Sequence, residues 1–176
     1  DDGYGESNTA QIGDTVTFQT TISAKKGAQN YVLHDTMSEG LTFESISSVK
    51  VGGKDLTAYT EGATSWDYKI VNPGSETGDN VTACTFEIVF SEAYLNTITE
   101  DTSIIVTYTA ILNDKAVVST GANTNKTHLT YGEGSNTTED ETETYTFKFD
   151  IVKTDSSNKL LDGAKFELYD AETDGN

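Results

Sequence analysis

Two stretches of this chain put polar side chains in phase with apolar ones. In residues 31–43, Tyr31, Leu33 and Asp35 recur at every second position, and in residues 123–131 Asn125, Thr127, Leu129 and Tyr131 do the same. Successive side chains of a β-strand point to opposite faces, so each set shares one face. An acid and an amide are thereby aimed at the interior. Burying either without a partner costs a few kcal/mol, so a fold that accepts both strands must supply partners for them. An acid beside a carboxamide in apolar surroundings needs only a lysine amine to form an intramolecular isopeptide bond.

The remaining pattern is that of short strands separated by turns. Residues 15–23 alternate, with Val16, Phe18 and Ile22 against Thr15, Thr17, Gln19 and Thr21, which predicts a half-buried strand. Further strands are expected at 31–35, 41–51, 56–59, 66–70, 82–90 and 103–112. The last strand of the domain is expected within 115–131. Gly52-Gly53 and the polar run 72–80 supply turns. Ser91 is placed to cap one or two helical turns reaching Ile98, with Glu92 near the positive end of the dipole. Many short strands at turn-punctuated spacing argue for an all-β sandwich. Residues 1–10 read as an acidic, Gly-rich mobile leader, 11–132 as the sandwich domain and 133–143 as an acidic linker without apolar residues. A new strand run opens at 144 and continues to 176.

Charge and composition exclude several classes. The net charge of −18 and the absence of clustered basic residues exclude a phosphate-tracking nucleic-acid binder and disfavour an anionic membrane surface. Cys84 is the one cysteine, so no intrachain disulfide forms, and it reads as a small buried hydrophobe. His34 and His128 are out of phase with their apolar neighbours and read as solvated strand positions, not as a metal pair. The acidic runs lack calcium-loop spacing. No phosphate loop, nucleophile elbow or metal-ligand cluster is legible, so neither cofactor, metal nor conventional turnover is expected.

Three motifs in order carry a resemblance. Ala10-Gln-Ile-Gly-Asp-Thr-Val-Thr-Phe18 resembles the opening strand, His34-Asp-Thr-Met-Ser-Glu-Gly-Leu-Thr-Phe43 the acid-bearing strand and turn, and Asn125-Lys-Thr-His-Leu-Thr-Tyr131 the closing strand of Gram-positive backbone pilins and related wall-anchored surface proteins. Further on, Phe149-Asp-Ile-Val-Lys-Thr-Asp155 with Leu161-Asp-Gly-Ala-Lys-Phe-Glu-Leu-Tyr169 resembles the start of a B-type collagen-adhesin stalk repeat. The resemblance implies an immunoglobulin-like, collagen-adhesin-like β-sandwich followed by the first strands of a second sandwich. It also implies a secreted protein of the cell wall or pilus surface, joined to other pilin subunits or to the wall by sortase linkage, with a host extracellular ligand as a possible partner.

The same resemblance assigns roles. Asp35 becomes the acid of isopeptide formation and Asn125 the acceptor amide, with Asn123, of the same strand parity, as the alternative acceptor. Lys153, in phase with Tyr145, Phe147, Phe149 and Ile151, becomes the isopeptide lysine of the second domain, its partners lying past residue 176. For the first domain the implied lysine precedes Ile12-Gly13-Asp14, where residues 1–11 hold none. The expectation is a lysine upstream of residue 1, the alternative a copy without the bond. The function implied is a structural module of a pilus shaft or adhesin stalk. The rival is a ligand-binding adhesin head, for which Trp66 and Tyr68 are the aromatic candidates.

Overall fold

The computed structural model describes residues 3–71, 84–148, 152–163 and 165. Its strands are β1 (Ser7–Thr9), β2 (Thr15–Ala24), β3 (Val32–Met37), β4 (Leu41–Val51), β5 (Lys54–Asp55), β6 (Tyr68–Val71), β7 (Phe86–Phe90), β8 (Thr102–Leu112), β9 (Asn123–Tyr131), β10 (Ser135–Asn136) and β11 (Asp140–Tyr145). One sheet runs β1-β11-β9-β3-β7-β6, with β10 paired to β9, and the other β2-β8-β4-β5. The two inner faces meet as an immunoglobulin-like sandwich. Among the described residues no helix is long and apolar enough to cross a membrane.

The alternation of β2 and β8 builds one half of the core. Val16, Phe18 and Ile22 face inward with Ile104, Val106, Tyr108, Ala110 and Leu112, all buried, while the threonines between them face out. Ten Cα partner pairs in unbroken register, from Thr15↔Ile111 to Ala24↔Thr102, hold these strands together. Leu33, Phe86, Ile88, Phe90 and Leu129 supply the other half. Strand β4 departs from simple alternation because its pairing with β8 shifts register between Phe43 and Ser45 and again between Ile46 and Ser48. Such irregularities re-aim side chains, and Phe43 ends with its ring 4.5 Å from that of Phe86.

The expected helix is present as α1 (Glu92–Leu95), with the Ser91 hydroxyl accepting from the Tyr94 N–H. Its turn drops Tyr94 and Leu95 into the core, closing one end of the sandwich. Residues 56–59, expected as a strand, form no strand and pair through the bridge Ala58↔Tyr68 and a few backbone hydrogen bonds, and residues 72–83, which hold the expected 72–80 turn and the start of the expected 82–90 strand, lie outside the described residues.

Two segments differ from their sequence reading. The stretch expected as a mobile leader contains β1, which pairs in parallel with β11. The stretch expected as an acidic linker contains β10 and most of β11, which is antiparallel to β9 with Thr142 opposite Asn125. The reason lies in what alternates. Thr142 and Thr144 turn inward between outward acids, so the period of two is carried by threonine, and a search for apolar residues passes over it. Thr146 continues that inward face, buried and bridged to Val118. The aromatic face of the same run points outward, and Phe147 is 68% exposed.

Candidate functional site

Asp35 and Asn125 meet in the core. Strand β3 points Leu33 and Asp35 inward, and Asp35 lies between Phe86 of β7 and Thr127 of β9 as Cα partners. Asp35 is wholly buried and Asn125 2% exposed. The Asn125 Nδ2 donates to Asp35 Oδ2 at 2.9 Å and to the Tyr108 hydroxyl at 2.8 Å. Tyr108 reaches across from the opposite sheet, so acid, amide and phenol join both layers at one point. Its ring stacks on Phe18 at 5.5 Å and meets Phe86 edge-on at 5.1 Å. Its hydroxyl lies 3.4 Å from Thr20 Oγ1.

Burial sets the protonation of this group. Removal from water disfavours the carboxylate, and the hydrogen bonds from Asn125 and Tyr108 only partly offset it, so the Asp35 pKa rises from its ordinary 3.8 to about 7. The Tyr108 phenol is pushed well above its usual range by burial and by the neighbouring Asp35 charge. Near neutrality Asp35 thus exchanges a proton beside a carboxamide nitrogen. Among the described residues, Asp35 Oδ1, Asn125 Oδ1 and Thr142 Oγ1 are buried polar atoms with no hydrogen-bond partner. Buried polar atoms are rarely left so, and these mark a place where a further polar group fits.

The lysines are elsewhere. All eleven fall within the described residues, and none is buried. Lys25 pairs with Asp101 at 2.8 Å and Lys126 with Glu141 at 3.1 Å, both on the surface. Lys153 is exposed, its carbonyl accepting from the Leu161 N–H; its expected neighbours Phe149 and Ile151 lie outside the described residues. Two small pockets lie beside β2 and β11: one is lined by Tyr4, Asn8, Gln19 and Thr142, the other by Phe18, Thr20, Tyr108 and Asn125.

Asn123 is buried too, but its polar atoms are used. Its Oδ1 accepts from the Val117 N–H at 2.8 Å, and its Nδ2 donates to the Val117 and Thr144 carbonyls at 3.2 and 3.1 Å. It locks the turn before β9 onto β11. Gly40 packs so closely here that a Cβ on it would strike the Asn123 carboxamide and the Ala116 backbone. Gly40→Ala should therefore cost about 1–3 kcal/mol by overpacking, read as a lower denaturant midpoint with unchanged slope.

Sequence periodicity puts Asp35 and Asn125 on inward faces, where they are buried and in contact, but does not single out Tyr108. Its only signal was a hydroxyl on the inward face of an otherwise apolar strand. His34 and His128 are not freely solvated. They are Cα partners on the outer face of the first sheet, with rings stacked at 4.6 Å.

The chain is thus a two-sheet immunoglobulin-like sandwich with a buried acid–amide pair in one sheet, tied to the other sheet by Tyr108. The family model for the Gram-positive pilin backbone subunit 2, Cna-B-like domain, matches residues 8–135, and the chain belongs to that family. The trypsin-resistant surface T6 protein of Streptococcus pyogenes serotype M6 is 27% identical over 92% of this chain and 33% of its own length. The chain thus spans about a third of that relative. The full-length RrgB pilus protein of Streptococcus pneumoniae superposes with a TM-score of 0.55 at 26% identity, covering 72% of this chain and 19% of that one. The 35 kDa C-terminal fragment of the major pilin GBS80 of Streptococcus agalactiae shares the fold, with a TM-score of 0.64 at 22% identity over 89% of this chain and 57% of that one.

Proposed function

We propose that this chain is a structural module of a Gram-positive pilus shaft, displayed at the cell surface and joined to other pilin subunits by sortase linkage outside residues 1–176. In this reading strands β1 to β11, continued by the buried Thr146, form one load-bearing sandwich, and the chain after Thr146, not from 144 as the sequence reading had it, opens a second. Its only chemistry is self-directed and happens once. The observation that carries it is the Asp35–Asn125 contact inside the core, with a carboxyl group that is protonated up to about pH 7.

The chemistry follows from the contact. A neutral lysine amine attacks Asn125 Cγ, forming a new C–N bond. The Cγ–Nδ2 bond breaks and ammonia leaves. Asp35 touches Nδ2, the departing nitrogen, so its proton goes to the leaving group and is replaced by the one shed from the amine. The Asn125 amide is held by Tyr108 and Asp35 against rotation. In this reading the amine belongs to a lysine outside residues 1–176 and approaches on the side where Asn125 and Thr142 line a small pocket. The resulting tie would restrict the unfolded chain as a disulfide does, worth about 2–4 kcal/mol by that comparison, and no reductant opens it. Lys153 is the corresponding amine of the second module.

Intact mass tests this. A longer chain that includes the upstream lysine should lose the mass of one ammonia per bond, and Asn125→Ala or Asp35→Ala should each abolish the loss from the first sandwich. Asn123→Ala should retain it. Loss that persists in Asn125→Ala refutes the assignment. Peptide mapping should show a branched peptide through Lys153 only when the rest of its module is present.

A further inference from the structure

On the outer face of the first sheet, behind Asp35, three different ligand types converge. His34 of β3 and Glu87 of β7 are Cα partners, and Cys84 lies just before β7. His34 Nδ1 is 3.0 Å from Glu87 Oε1 and 3.6 Å from Cys84 Sγ, and the three ligand atoms all lie within 4.8 Å of one another. Tetrahedral zinc bonds of about 2.0 Å to nitrogen or oxygen and about 2.3 Å to sulfur imply N–O edges of about 3.3 Å and N–S edges of about 3.5 Å. The His34–Glu87 and His34–Cys84 spacings of 3.0 and 3.6 Å lie close to those edges.

The imidazole is also oriented. Thr130 Oγ1 donates to Asn136 Oδ1 at 2.7 Å and lies 2.9 Å from His34 Nε2. With its own proton committed to Asn136, the Thr130 hydroxyl accepts from Nε2–H. That leaves the Nδ1 lone pair directed at the carboxylate and the thiol. One proton there can be shared along a single edge, whereas a divalent cation at the centre engages all three atoms. The site is sheltered as well, with the His34 and Glu87 side chains only 12% and 15% exposed and the His128 ring stacked on His34.

We propose that His34, Cys84 and Glu87 form a zinc-class metal site, with Thr130 as the residue that fixes the ligating tautomer and water completing the tetrahedron. A thiolate–imidazole–carboxylate set suits Zn²⁺ and offers little to Ca²⁺ or Mg²⁺, which require oxygen ligands. Binding releases the thiol proton and would pin β3 to the start of β7. The site lies on the face of the sheet opposite Asn125, so it stands or falls independently of the isopeptide reading.

The test uses the purified 176-residue chain and cobalt as a spectroscopic probe. One equivalent of Co²⁺ should produce the visible bands of a tetrahedral site and a thiolate charge-transfer band in the near ultraviolet, both displaced by Zn²⁺ and untouched by excess Ca²⁺. Cys84→Ser should remove the charge-transfer band, and His34→Gln should weaken binding at least 100-fold. Thr130→Val, which keeps all three ligands, should weaken it about 10–100-fold. Zinc should also slow the reaction of Cys84 with a disulfide reagent, and a chelator should restore it. Circular dichroism of each variant separates lost ligation from lost folding. A missing charge-transfer band in the parent chain, unchanged affinity in folded His34→Gln, or thiol reactivity indifferent to zinc would each overturn the proposal.

Discussion

Asp35→Asn should flatten the pH dependence of stability between about pH 4 and pH 7. In the unfolded chain the carboxyl ionises near its ordinary 3.8, whereas in the fold it keeps its proton to about 7. Between those values the native state binds more protons, so stability falls as pH rises. The contribution is fully present below the unfolded pKa and is lost by the time the folded pKa is passed, on the order of 4 kcal/mol at most. Asparagine fits the same place, accepts from Asn125 Nδ2 and cannot ionise. Denaturant unfolding of both proteins across this range should give curves that converge at acid pH and separate toward neutrality, with the variant the more stable at pH 8. Parallel curves would mean that Asp35 is not the titrating group.

Phe86→Ala should be the most damaging single core truncation near the site, costing about 3–5 kcal/mol. Phe86 is wholly buried, its ring 4.5 Å from Phe43 and 5.1 Å from Tyr108. It is also the β7 partner of Asp35. Because desolvation is the main cause of the raised Asp35 pKa, a cavity that admits water should let that pKa fall toward its ordinary value. The loss of stability should then be smaller at pH 8 than at pH 5, where the parent Asp35 pays no ionisation cost. Carboxyl titration by NMR in the variant checks the second effect separately from the first. An unchanged Asp35 pKa would show that the cavity stays dry.

The sequence alone determined the inward faces of β2, β3 and β9. A period of two leaves no choice once one side is apolar, so Leu33 took Asp35 and Leu129 took Asn125 into the core by phase alone. The helical turn after Ser91 was legible for a similarly local reason, a hydroxyl placed to cap orphan N–H groups. Tertiary structure decided what those inward groups touch. Asn125 and Asn123 have the same parity and the same chemistry. Only the register of β9 against β3 and β11 gives Asn125 to Asp35 and spends Asn123 on backbone carbonyls. Tyr108 was visible as one core residue among the apolar residues of β8, and its hydroxyl acquired a role only when the second sheet packed across it. The same holds for His34, Cys84 and Glu87, which are 50 and 53 residues apart in the pairs that matter. Periodicity is a property of one strand and is written in its own residues. Cross-strand and cross-sheet partnership depends on register and packing, which no single segment encodes.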